Sequence, residues 1–518
     1  MIRFLLAALL LALPAAAQER VLRFVPTGDL RVLDPIWTSA AITLNHGQMV
    51  YDVLVTMDSQ FRPQLQMAES VRTSEDGLRW TFTLRPGLTF HDGTPVRAAD
   101  VAASITRWAK RVTAGQALAG RARSIAAQDA RTVEIVFDKP FGPVMESLGS
   151  PLLAAFVMRE ADAQTDAFQQ VRTAIGSGPY RFMPEEFRAG DRVVYRRFEG
   201  YVPRSEPPDG YAGGKVAHFD RVEWIYLPDP ATAVGALAKG EVDFLEGVPA
   251  DLLPVMRRAQ GVTVEVLNRS GFIGTVRPNA VIPPFNDPRA RQALLLAIDQ
   301  DEFDNAIAAE PALAKRCQAV FVCGTPYESD VRLDEWRSPD LERAKRLLAE
   351  SGYRGEKIVV LDPADQPDIR MMALLTANAL RRIGANVEVQ TMDWSTLITR
   401  RNTREPPDRN PNGWHIATTF WGGFSLSSPI TNTPLVSTCD GRNLYGWPCD
   451  EEMERRRAAF LDARTLDAQK QAATAIQERF FDVVPYVPTG IILRPVAYRA
   501  DLKDLPATLY PVFWGIHR

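Results

Sequence analysis

The sequence predicts an α/β protein built from several lobes, and three observations carry that expectation. A chain of 518 residues exceeds what one hydrophobic core holds, and about 150 residues per domain gives roughly three lobes. Around Trp80 the residues alternate strictly: Trp80, Phe82 and Leu84 are apolar, while Thr81, Thr83 and Arg85 are polar, the pattern of a half-buried strand. Between residues 341 and 390 a helix with Leu341, Ala344, Leu347 and Leu348 at helical spacing precedes a strand at 358–361, an amphipathic helix at 369–383 and a strand at 387–390. That β-α-β rhythm is the mark of an α/β lobe.

The other elements follow in chain order. Residues 21–25 read as a strand, and the stretch to about Thr56 adds a helix and a second strand. Arg85-Pro86-Gly87 ends the Trp80 strand. Leu88 and Phe90 lead to His91-Asp92-Gly93-Thr94-Pro95, where Asp-Gly supplies a positive φ and Pro95 sets the direction before a helix near Ala98. Asp100 falls in that helix's first turn, where the exposed amides favour a carboxylate. A strand at 132–137 stops at Lys139-Pro140, strands follow at 192–197 and 221–227, and a helix at 231–239. Residues 201–215, rich in Pro and Gly, read as a loop, as does the polar run 402–413.

Net charge of −3 and 46% hydrophobic residues describe an ordinary globular chain, with no basic surface for nucleic acid. Arg3, the apolar run from Phe4 to Leu13 and Ala15-Ala16-Ala17 read as an export signal over residues 1–17, cleaved before Gln18. No later stretch offers about 18 uninterrupted apolar residues. Gln18 stands where a lipid anchor would need Cys, so a free exported protein is expected. In an oxidising compartment Cys317 with Cys323 and Cys439 with Cys449 are expected to form two local disulfides, the alternative being four buried thiols.

Chemistry-bearing motifs are lacking. There is no nucleophile elbow, phosphate loop, dinucleotide fingerprint or His-Glu-x-x-His helix. The histidines His46, His91, His218, His415 and His517 have no ligand-like spacing, so packed or solvated roles are expected and no metal or cofactor is implied. Turn and helix-start duties account for Asp92 and Asp100.

The segment from Pro63 to Trp108 closely resembles the second lobe of the family 5 extracytoplasmic solute-binding proteins, the dipeptide, oligopeptide and nickel binders of ABC importers. Further matches follow in the family's order: Leu33-Asp34-Pro35, Tyr51-Asp52-Val53-Leu54-Val55, Gly176-Ser177-Gly178-Pro179-Tyr180, Leu237-Ala238-Lys239-Gly240-Glu241-Val242-Asp243-Phe244 and Phe285-Asn286-Asp287-Pro288-Arg289. The run from Asp340 to Tyr353 and the segment ending at Trp421 complete them. Arg97 departs from the pattern, since the family usually places Thr or Ser there as a helix cap, whose loss costs about 1 kcal/mol.

The resemblance implies the type II periplasmic binding protein fold in three lobes. Lobe I would take residues 18–60, 175–270 and 489–518, lobe II the insertion 61–174 and lobe III residues 271–488, with a hinge between lobes I and III. It implies a monomeric periplasmic protein that holds a peptide or similar small solute in the cleft and delivers it to two permease subunits and their ATPases. No enzymatic activity is expected; the rival is a secreted hydrolase acting on envelope peptides or glycans.

Site residues are implied by the same resemblance. Related peptide binders show Trp, two small residues and then Asp, whose carboxylate meets the peptide ammonium; here the order is Trp421-Gly422-Gly423-Phe424. An ammonium held at Phe424 would be unpaired, so a peptide gripped there by its N-terminus is disfavoured and a ligand with an apolar, aromatic or sugar-like face is favoured. Trp421, Gly423 and Phe424 are therefore candidates, with core packing as the alternative for Trp421. The segment after Leu33-Asp34-Pro35 adds Trp37, Ser39 and Ala41, and the hinge strand adds Thr275 and Arg277, the arginine as a bidentate partner for an anion or as a surface residue. Trp394 and Arg494 are candidates by position near the cleft.

Overall fold

A computed structural model describes residues 19–308 and 310–518; the export segment read at residues 1–17 lies outside the described residues. Three large sheets organise them, with a two-stranded pair of Val55–Met57 and Pro63–Leu65 besides. The first has seven strands in the order Val262–Glu265, Val496–Arg499, Phe244–Leu245, Val21–Val25, Arg221–Ile225, Arg192–Arg197 and Tyr180–Phe182. Its centre is parallel, with Val21 opposite Arg221 and Phe24 opposite Phe244. Its core is aromatic: Phe24 packs edge-on against Trp224, Phe244 and Phe513.

The second sheet is an antiparallel set of four strands, ordered Ala68–Thr73, Arg79–Leu84, Thr132–Phe137 and Ala122–Ala127. Phe82 and Leu84 are buried as the alternation requires, and Trp80 lies opposite Ile135. The helix Ala98–Ala109 covers this sheet with Val101, Ile105 and Trp108. Arg97 caps no amide with its side chain, since a guanidinium has no acceptor. Asp100 instead accepts from the N–H of Arg97 at 2.8 Å and of Glu160 at 2.7 Å, which ties the helix start to the chain that follows it. Asp92 likewise serves its turn, accepting from the Thr94 N–H at 3.0 Å.

The third sheet has six strands, ordered Ala314–Lys315, Val487–Ile492, Phe272–Pro278, Ile416–Gly422, Lys357–Pro363 and Asn386–Met392. The last two pair in parallel, with Ile358 opposite Val387, and the helix Pro367–Arg382 connects them in the β-α-β unit read from the sequence. The chain passes from the first sheet to the third through residues 266–271 and returns between Ile492 and Val496.

A polar seam joins the body of the second sheet to the helices of the third. The Gly142 N–H donates to the Leu461 carbonyl at 2.9 Å, Arg121 pairs with Asp462, and Arg464 donates to the Glu75 carbonyl. One continuous apolar cluster runs beneath it, from Phe82 and Ile135 through Phe141 and Val144 to Tyr327, Phe460 and Phe480.

Both cysteine pairs are disulfides, Cys317–Cys323 and Cys439–Cys449. His46 is buried against the Tyr195 hydroxyl, His91 faces the Gly178 carbonyl, and His415 accepts from the Val359 N–H. Burial pushes all three imidazoles down, to about 3, about 4 and about 4, so they are neutral packing groups at pH 7. Among the described residues no cluster of His, Cys, Asp or Glu has the makings of a metal site, and no helix is long and apolar enough to cross a membrane.

Candidate functional site

Where the second and third bodies face each other beside the first crossing segment, a cavity of about 760 Å³ opens. The crossing itself supplies Arg269 and Ser270; the turn before the second sheet supplies Met57, Pro63 and the run from Ser59 to Arg62; the helix Val144–Gly149 supplies Met145 and Glu146. From the third body come the loop 323–327, the segment Phe424 to Ser428, and Leu466, Gln469 and Lys470.

Aromatic rings line one wall because local chemistry aims them there. The Asp58 carboxylate accepts from the N–H groups of Gln60 and Arg62, both at 2.9 Å, and this tight turn holds Phe61 at φ 59°. A bulky residue in the left-handed region costs about 1–3 kcal/mol, and such strain collects at functional sites. The turn sets the Phe61 ring 5.5 Å from that of Phe424, whose side chain is itself buried.

Gly423 is required for this placement. A Cβ there would lie 2.0 Å from the Ser270 carbonyl oxygen, while the Gly423 N–H donates to the Gly271 carbonyl at 2.8 Å. Close backbone contact between the third sheet and the crossing segment is thus written into the small residues after Trp421.

Charge is divided between rim and interior. Arg269, Lys315 and Lys470 are exposed on the rim, and among the described residues none of them forms an ion pair. Arg62 pairs with Asp58. Glu146 is the one carboxylate among the described lining residues; it accepts from the Tyr327 hydroxyl at 2.8 Å, and burial raises its pKa.

Of the ligand-contact residues expected from the sequence, Phe424 lines this cavity and the others do not. Trp421 packs beside Ile273, Ile491 and the Cys317–Cys323 disulfide, which is the packing role set against it as the alternative. Thr275 is corrected to an interior residue: its hydroxyl donates to the Thr419 carbonyl at 3.2 Å. Arg277 is likewise buried, neither on the surface nor open to an anion, because its guanidinium donates to the Tyr445 and Pro434 carbonyls; burial lowers its pKa to about 10. Trp37 lies under the Arg111 guanidinium, 4.6 Å from its ring centroid, with Ser39 exposed and Ala41 at the first turn of the helix Ala41–Val50. Trp394 opens the helix Trp394–Arg400, and Arg401 covers its ring. Arg494 lines a second cavity, of about 580 Å³, where it pairs with Asp368 at 2.9 Å.

Several lining residues carried no sequence signal. Glu146 follows a strand-breaking Lys139-Pro140 pair, and nothing in its spacing marks it. Tyr327 and its loop were foreshadowed by Cys323 alone, whose disulfide with Cys317 closes the loop onto the third sheet. Replacing both Cys317 and Cys323 by Ser is expected to cost about 2 kcal/mol, read from the shift in denaturation midpoint, and to weaken solute binding because residues 323–327 form part of the wall.

The model of the bacterial extracellular solute-binding proteins, family 5, matches residues 62–443. The chain belongs to that family. It is 40% identical to the probable peptide ABC transporter periplasmic-binding protein y4tO of Sinorhizobium fredii over 515 residues, 98% of this chain and 96% of that protein. It is 26% identical to the glutathione-binding protein GsiB of Pectobacterium atrosepticum, covering 80% of this chain and 76% of that one. Among solved structures, the substrate-binding protein CtaP of Listeria monocytogenes superposes with a TM-score of 0.78 at 21% identity, over 96% of this chain and 99% of that chain. A dipeptide-binding protein of a Pseudoalteromonas species in complex with Met-Leu gives 0.75 at 20% identity, over 96% and 99%. The fold of this solute-binding protein is therefore the mixed α/β periplasmic binding protein fold of the peptide- and nickel-binding type.

Proposed function

We propose that this solute-binding protein is the periplasmic capture subunit of an ABC importer, and that its cargo is a short peptide-like zwitterion with an apolar body. The cavity carries the reading. It offers aromatic and aliphatic surface from Phe61, Met145, Tyr327 and Phe424, and a rim on which Arg269, Lys315 and Lys470 await an anion. Burying apolar surface favours binding, and the cations orient the guest by its carboxylate. The peptide-named relative at 40% identity supports the same cargo class.

Capture works by closure. Walls on either side of the crossing segments bring contacts that an open protein lacks, and moving an open:closed ratio from 1:99 to 99:1 requires about 5.5 kcal/mol of preference for the closed form. The importer then reads the closed surface. Mass spectrometry of material released from the purified protein tests the cargo class: a short peptide or peptide conjugate is expected, and a neutral sugar or a metal chelate overturns it. The triple variant Arg269→Gln, Lys315→Gln, Lys470→Gln is expected to bind the tripeptide Ala-Phe-Ala about tenfold more weakly by calorimetry, with a flatter salt dependence. Incubation must leave the peptide intact, since catalytic cleavage would favour a hydrolase.

A further inference from the structure

We infer that Glu146 is the counter-charge for a positively charged group on the bound solute, supplied from the wall opposite Phe424. The inference rests on the zwitterionic cargo proposed above and adds where its cation goes.

Glu146 is the one acidic side chain among the described residues lining the cavity, and no Lys or Arg pairs with it. Its hydrogen-bond donor is the Tyr327 hydroxyl, which reaches it from the third body at 2.8 Å. A carboxylate has roughly four lone-pair directions, so the Tyr327 hydroxyl leaves room for further donors. A carboxyl buried without a cation is costly in its charged form, which is the sense of its raised pKa. An ammonium or guanidinium entering the cavity restores the charge and removes that cost. The one sequence-predicted contact residue in the cavity is neutral: residue 424 is Phe.

The placement also sets the guest's direction. With the cation at Glu146 and the anion at the rim, the apolar body crosses the Phe61–Phe424 wall between them. The hydrogen bond from Tyr327 to Glu146 spans the two bodies, so binding there is felt only when the second and third bodies are together. Specificity for a cation and closure become one event.

Calorimetric titration of the full-length exported protein with Ala-Phe-Ala and with N-acetyl-Ala-Phe-Ala tests this. The wild type is expected to bind the free-amine peptide at least thirtyfold more tightly than the acetylated one. In Glu146→Gln, whose amide oxygen can still accept from the Tyr327 hydroxyl, the two peptides should bind within threefold of each other. Glu146→Asp, which keeps the charge, should retain most of the preference and serves if the Gln variant fails to fold. Equal affinity of the wild type for both peptides, or an undiminished preference in Glu146→Gln, overturns the assignment while leaving the cargo class standing. Failure of the wild type to bind either peptide overturns the cargo class, and the assignment with it.

Discussion

Gly142→Ala is expected to weaken solute binding by at least tenfold while the protein stays folded. At Gly142 the second body meets the third through bare backbone: an added Cβ would sit 1.6 Å from the Ala463 carbonyl oxygen. Neither side can yield cheaply, because the obstruction is main chain and the Gly142 N–H is bonded to the Leu461 carbonyl next to it. One methyl group therefore pushes the two bodies apart along their shared seam, loosening the Arg121–Asp462 pair and withdrawing Glu146 from Tyr327. The cavity lies directly beside this seam, with Gly142 in its wall. A loss of tenfold corresponds to about 1.4 kcal/mol taken from the closed state alone. Calorimetry reads the affinity, and small-angle scattering should show the variant failing to contract when ligand is added. Wild-type affinity and contraction would mean that this seam has no part in closure.

Lys215→Ala is expected to be the most destabilising of the simple substitutions. The Lys215 ammonium is fully buried, 2.9 Å from the Asp52 carboxylate, and lies 4.8 Å from the centre of the Trp514 ring. The Tyr201 hydroxyl donates to the other Asp52 oxygen at 2.9 Å. Truncating the lysine strands a buried carboxylate, and breaking such a pair from one side costs about 3–5 kcal/mol. The denaturation midpoint should fall accordingly. The double replacement Lys215→Met, Asp52→Leu removes both charges and is expected to recover most of the loss. If the single and double variants melt alike, the pairing contributes nothing and the damage is steric.

The same pair shows how a motif can be legible without its reason being so. Tyr51-Asp52 and Leu33-Asp34-Pro35 stood out in the sequence as family strings, yet neither carboxylate lines the candidate cavity. Asp34 is buried against Arg107, 2.7 Å away on the helix Ala98–Ala109, and also accepts from the Val171 N–H at 2.9 Å. Asp243 accepts from the Arg23 N–H at 2.7 Å and so fixes neighbouring strands of the first sheet. Each partner lies from about 70 to more than 200 residues away in sequence, beyond any local pattern.

What the sequence determined by itself was local and periodic. Alternation around Phe82, the β-α-β rhythm ending at Met392 and the Asp92-Gly93 turn each depend on residues a few positions apart, and hydrophobic burial acts on them wherever the chain goes. The paired cysteines are of this kind too, since a six-residue separation leaves Cys317 and Cys323 little choice of partner. Tertiary structure alone decided which side chains share the cavity. Phe424 lies within it while Trp421, three residues earlier, turns to the disulfide; Arg277 in the strand that follows the crossing is buried, whereas Arg269 before it is free. Glu146 and Tyr327 meet across 181 positions of sequence. Such meetings are set by how rigid bodies dock, and docking depends on the summed shape and charge of whole faces, which no short stretch of residues encodes.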